Sequence, residues 1–166
     1  MSLEQKEYRE RLLDKKIDKY LKVFGAISIE GPKWCGKTWT ALKHSESVAY
    51  MTEKSVRNLA RVDPKYIFNE KRPQLIDEWQ LVPSIWDTVR HECDNTINRG
   101  NFLLTGSTSL TKDEKEELVF HSGTGRIATM RMHPMSLYES QDSSGDVSLL
   151  EMLEDKVKEK YIRKVE

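Results

Sequence analysis

The sequence predicts a three-layer α/β domain built on a central five-stranded parallel sheet. Three observations predict it. Short apolar runs recur along the chain and are separated by segments of helical periodicity. A glycine-bounded loop stands between the first of these runs and a helical segment. The length, 166 residues, suits one domain of ordinary size with a real core.

Residues 4–21 contain no Gly or Pro, and Tyr8, Leu12, Leu13, Ile17, Tyr20 and Leu21 recur at helical spacing. The pattern predicts a leading amphipathic helix. Residues 23–29 (VFGAISI) read as a buried strand, 31–38 as a loop, and 37–44 as a helix. A second strand is expected at 47–51 and a short helix at 55–61, which Asp63-Pro64 interrupts. A third strand, QLID, covers 74–77. Residues 83–97 form a helix with Pro83 in its first turn and Ile85, Trp86, Val89, Cys93 and Ile97 as its apolar stripe. A fourth strand lies at 101–105 and a fifth at 126–132, with a charged exposed loop, TKDEKEE, at 111–117 between them. Ser148 and Glu151 make a capping box for a closing helix. The expected organisation is an N-terminal helix packed on the core (1–22), the core itself (23–140), and a linker with a C-terminal helix (141–166).

Basic and acidic side chains number 27 each, so the formal net charge is zero. That balance argues against a dedicated nucleic-acid binder, and no basic stripe interleaved with aromatics supports one. No apolar run approaches the roughly 20 residues that span a bilayer. The charged N-terminus lacks a signal-peptide core, so a cytoplasmic protein with no membrane partner is expected. Cys35 and Cys93 make neither a disulfide framework nor a metal pattern. Histidines 44, 91, 121 and 133 show no paired metal spacing.

Ligands on parallel sheets bind beyond the carboxyl ends of the strands, which directs attention to residues 31, 77 and 105. Gly31-Pro32-Lys33-Trp34-Cys35-Gly36-Lys37-Thr38 reads G-x-x-x-x-G-K-[ST], placed between a strand and a helix. The glycines let successive N–H groups turn into one concavity, and the helix N-terminus adds partial positive charge. Lys37 would reach the β- and γ-phosphates of a nucleotide, and Thr38 would ligate Mg²⁺. Trp34 and Trp39 flank the loop. Packing against neighbouring elements is their favoured role, and stacking on a base is the alternative.

Leu75-Ile76-Asp77-Glu78 is an apolar strand that ends in two carboxylates. Asp77 would hold Mg²⁺ through water, since a metal beside a triphosphate needs hard oxygen ligands. Glu78 would orient and deprotonate the attacking water. The extra strand between the two motifs fits the P-loop branch with a catalytic glutamate. No Asn-Lys-x-Asp guanine-reading motif occurs, so adenine is the expected base.

The fourth strand ends in Thr105, Gly106 and Ser107. Thr105 or Ser107 would contact the γ-phosphate or the water as a polar sensor, the alternative being a simple turn at a strand end. Arg126 follows Gly123-Thr124-Gly125 and is a candidate arginine finger, in its own subunit or a neighbour's. The alternative is a surface arginine opening a strand. Arg99 and Arg131 are weaker candidates.

The runs IEGPKWCGKTWTA, QLIDEWQLVPSIWDTVR, FLLTGS and HSGTGRIATMRMHPMSLYES closely resemble a prokaryotic group of predicted AAA+ superfamily ATPases, over about residues 8–150. The resemblance implies a P-loop NTPase core of RecA/AAA+ type, with Walker A at 31–38 and Walker B at Asp77 and Glu78. It also implies a sensor-like Ser107 and places Arg126 at the family's Gly-Arg position. The chain departs at His133, where the family run more often carries arginine. Members of the group are generally longer, with a separate C-terminal domain, so this chain is expected to be the engine portion of a longer protein. The expected function is hydrolysis of ATP with Mg²⁺, with a homo-oligomer or a C-terminal domain as partner. The rival reading is a nucleotide-dependent switch with little turnover, in which ATP reorganises residues 107–125.

Overall fold

The computed structural model describes residues 8–69, 71–107, 123–146 and 149–154, with the backbone alone for 107, 149 and 151. The expected charged loop at 111–117, His121, most of the proposed switch segment, and Ser148 of the capping box lie outside the described residues. The elements are α1 (Asp14–Leu21), β1 (Ala26–Gly31), α2 (Lys37–Lys43), β2 (Ser47–Tyr50), α3 (Lys54–Val62), β3 (Gln74–Asp77), α4 (Ser84–Asn95), β4 (Phe102–Ser107), β5 (Ile127–Arg131) and α5 (Leu149–Leu153). Single 3-10 turns occupy Pro64–Ile67 and Trp79–Leu81.

The five strands lie in the order β2-β3-β4-β1-β5, and every pair is parallel. The α/β class with a five-stranded parallel sheet is therefore as the sequence predicts. Alternation along the strands sorts side chains onto two faces. Ala26, Ile76, Phe102 and Leu104 pack under α3 and α4, together with Ala60, Ile85 and Val89. Ile27, Ile29, Leu75 and Leu103 face the other way and pack with Ile17 of α1 and Ala41 of α2. These two apolar layers hold β1, β3 and β4 rigidly, and so fix where their ends emerge.

The first helix is shorter than its periodicity predicts. The described residues 8–13 are not helical, and α1 begins at Asp14. Side-chain bonds outcompete the helical repeat there. The Asp14 carboxylate accepts the Arg11 N–H at 2.8 Å, and the Asp14 N–H bonds the Arg11 carbonyl at 3.0 Å. Tyr8 donates its hydroxyl to Asp14 at 2.8 Å and lies 3.2 Å from the Thr40 hydroxyl. His44, the C-cap of α2, sits with one ring nitrogen 3.0 Å from Asp14 and the other 2.9 Å from Asp18. The N-terminal segment is thus tied to α2 by polar contacts as well as by Ile17.

The described residues fall into two compact units that divide between Pro134 and Met135. The first takes in residues 8–22 together with the sheet. In the second, the Ser136 N–H and hydroxyl both donate to the Glu139 carboxylate at 2.8 Å. No helix among the described residues is long and apolar enough to cross a membrane.

Candidate functional site

Strands β1, β3 and β4 deliver their last residues to one edge. Gly31 stands opposite Ser107, and Thr105 stands opposite Asp77. β1 ends where no side chain fits, since a Cβ on Gly31 would lie 2.3 Å from the Met132 carbonyl oxygen. The chain then curls. Gly36 takes left-handed backbone (φ 98°) at no steric cost. Trp34 takes it too (φ 68°), which costs about 1–2 kcal/mol for a residue with a Cβ. Strain of this kind persists only where the surrounding structure enforces it.

The curl lets Lys37, in the first turn of α2, reach back into its own loop. Its ammonium donates to the Gly31 carbonyl at 3.0 Å and the Pro32 carbonyl at 2.8 Å. Thr38 follows, and its hydroxyl donates to Asp77 Oδ1 at 2.7 Å. Thr105 donates to the same oxygen at 2.6 Å. One carboxylate oxygen therefore joins α2, β3 and β4. Asp77 is only 7% exposed, so these bonds act in a medium that screens them poorly. Tyr50 pairs with Asp77 in register, and its phenol pKa is raised by burial first, then by the charges of Asp77 and Glu53.

The donor set suits a divalent cation shared with phosphate. The Thr38 hydroxyl and the Asp77 carboxylate are hard oxygen donors side by side at the lip of the loop. Among the described residues, no group of three or more His, Cys, Asp or Glu could hold a metal alone. An ion here would complete its shell with phosphate oxygens and water, as Mg²⁺ does.

Glu78 leaves β3 in left-handed backbone (φ 56°) and is half-buried. Its carboxylate accepts a hydrogen bond from the Gln80 amide. Gln80 lies in the turn Trp79–Leu81 and is seated against β4, where a Cβ on Gly106 would fall 2.6 Å from Gln80 Oε1. Gln80 thus links Glu78 to the strand that ends in Ser107. The sequence reading passed over it, although its place two residues after Glu78 was the available signal.

Arg11 was also missed. Its side chain is buried, and it donates to the Cys35 carbonyl at 2.8 Å and to the His133 carbonyl at 2.9 Å. Spacing carries no trace of such a contact, because every residue has a carbonyl. The departure at His133 is of no consequence to this bond for the same reason.

Arg126 is not brought to the site. It immediately precedes β5, and its carbonyl accepts the Ala26 N–H at the start of β1. It therefore lies at the amino edge of the sheet. The five residues of β5, at about 3.3 Å each, put roughly 15 Å between the two edges. Its guanidinium meets Asp94 at 2.5 Å instead. Parallel strand direction rules out a contact with this chain's own 31–38 loop. Arg99 is exposed and belongs to the amino edge, whereas Arg131 ends β5. The packing role favoured for the two tryptophans is not seen at Trp34, which is 100% exposed on its strained backbone. Trp39 is 38% exposed. Pro32 and Lys33 are exposed on the same loop, while Cys35 is buried.

A family model described as an AAA domain matches residues 23–141, well over half of the chain. No curated protein matches the chain.

Proposed function

The chain belongs to the AAA domain family, and from that premise we propose that the carboxyl edge of its sheet binds Mg-ATP and hydrolyses it. The single observation that carries this reading is Asp77 Oδ1, held between the Thr38 and Thr105 hydroxyls beside the caged Lys37. Lys37 exchanges the Gly31 and Pro32 carbonyls for phosphate oxygens. The N–H groups of residues 33–38 and the N-terminus of α2 bind the remaining phosphate charge. Thr38 and Asp77 are the residues that would hold Mg²⁺. When bound, that ion neutralises charge developing on the β- and γ-phosphates.

Glu78 orients the attacking water and takes its proton, and Gln80 fixes the direction of the Glu78 carboxylate. Thr105 is engaged with Asp77, which leaves Ser107, at the end of β4 opposite Gly31, as the polar contact for the γ-phosphate or the water. Trp34 and Trp39 stand at the loop as candidates to stack on adenine. Arg126, paired with Asp94 at the far edge, could serve catalysis only from a neighbouring copy, the alternative being a surface arginine that opens β5.

The test is ATP binding and turnover by the parent and by Glu78→Gln. The variant is expected to bind ATP as the parent does and to lose turnover by about 10²-fold or more. Equal turnover would remove Glu78 from the mechanism. Tight binding by the parent without turnover would make the domain a nucleotide-dependent switch.

A further inference from the structure

We infer that Arg11 is a positioning residue for the phosphate loop and that nucleotide affinity depends on its guanidinium, an inference that rests on the ATP-binding reading above. Arg11 lies outside the segment that the family model matches. Yet its side chain is 7% exposed, and its two terminal nitrogens bridge different elements. Nη1 holds the Cys35 carbonyl inside the loop, and Nη2 holds the His133 carbonyl beyond β5. A Cβ on Gly36 would lie 3.0 Å from Nη1, so the guanidinium is in direct contact with the loop backbone.

The consequence follows from peptide geometry. The Cys35–Gly36 peptide is planar and trans, so its C=O and N–H point in opposite directions. A carbonyl drawn onto Arg11 therefore sends the Gly36 N–H away from Arg11. Loops that bind phosphate act through N–H groups turned inward. A buried carbonyl turned outward needs a donor of its own, and Arg11 supplies one. Without it, the glycine at 36 leaves the peptide free to rotate and to present its carbonyl, which repels phosphate oxygen.

The backbone from which Arg11 reaches is itself fixed. Asp14 accepts the Arg11 N–H, Tyr8 bonds Asp14 and Thr40, and His44 sits against Asp14 and Asp18. These contacts hold the segment to α2 and leave the Cys35 carbonyl of the loop to the guanidinium. Tyr8 and Arg11 thus separate the anchoring of the segment from the shaping of the loop.

The experiment measures Mg-ATP binding, turnover and apo melting temperature for the parent, Arg11→Ala, Arg11→Lys and Tyr8→Phe. Arg11→Ala should weaken ATP about tenfold or more, the scale of a lost charge-assisted hydrogen bond. Its kcat at saturating ATP should stay near the parent's, because the loss is in ground-state binding. Arg11→Lys, which keeps the charge and loses the fork, should fall between them. Tyr8→Phe should bind ATP like the parent. Guanidinium ion added at sub-denaturing concentration should restore affinity to Arg11→Ala and leave the parent unchanged. Parent-like affinity in Arg11→Ala overturns the inference, as does an equal loss in Tyr8→Phe. Should Arg11→Ala fail to fold, parent-like affinity in Arg11→Lys overturns it instead. A parent that binds no ATP defeats the nucleotide reading itself, and this inference with it.

Discussion

At the carboxyl edge of the sheet, Asp77 is buried and one of its oxygens accepts hydroxyls from α2 and β4. At the amino edge, Asp94 of α4 is exposed and meets the half-buried Arg126 at 2.5 Å. Both carboxylates are hydrogen-bonded, yet they serve different ends. The contacts of Asp77 are directional, poorly screened and shared among three elements, so they set a geometry before any ligand arrives. The Asp94–Arg126 pair is solvated and screened by salt, and pairs of that kind contribute little to stability. The Arg126 hydrogen bond, more than any other influence, holds the Asp94 carboxyl below the usual carboxylate range. One edge gathers buried, directional contacts from three elements, and the other carries an arginine paired to a carboxylate at the surface.

The strongest test of that contrast is Arg126→Ala. If the amino edge serves a neighbour, ATP affinity should be unchanged while turnover falls about 10³-fold under conditions where copies associate. Mixing Arg126→Ala with Lys37→Ala should then restore activity, because each copy supplies what the other lacks. A loss that is independent of protein concentration and not rescued by mixing would break the contrast. A smaller effect tests the carboxyl edge. Gln80→Leu should lower kcat about tenfold with ATP affinity unchanged, because it releases the Glu78 carboxylate and leaves the phosphate loop alone. Parallel loss of affinity would mean that Gln80 supports the loop as well.

The smallest effect concerns acid. A lowered folded-state pKa means that Asp94 adds stability above its unfolded pKa, and that this is lost as pH falls through the folded value. Melting temperatures of the parent and Asp94→Asn should therefore differ by a small constant amount at neutral pH and converge in strong acid. A difference that persists in acid would show that Asp94 acts through something other than its charge.

Local chemistry was legible in the sequence, and contacts to backbone were not. β3 has the bounds that its apolar run predicts, because four consecutive residues are buried and a charge ends them. The curl of residues 31–38 was legible because Gly36 marks a left-handed turn by residue type, and Lys37 and Thr38 bond from the helix that follows it. β1 was displaced, from 23–29 to Ala26–Gly31, because Val23 and Phe24 close α1 instead. Their N–H groups both bond the Tyr20 carbonyl, and the Phe24 ring packs 5.2 Å from that of Tyr20. The first helix was over-extended because Tyr8 and Arg11 keep helical spacing while serving α2 and the loop. The position of Arg126 followed from parallel strands, but the adjacent Gly-Thr-Gly drew the reading toward phosphate.

The central place of β1 also governs when the domain can form. Ala26 pairs with Phe102 on one side and Ile127 on the other. A growing chain therefore exposes β1 and the 31–38 loop long before either neighbouring strand has been made. Ile17 and Ala41, close in sequence, can cover Ile27 and Ile29 on one face, but the strand pairing of β1 waits through that interval, and long-range parallel pairing is intrinsically slow. Translation order thus makes the site encoded early among the last parts to be assembled. A ligand that recognises only the finished sheet would draw that late step to completion by mass action.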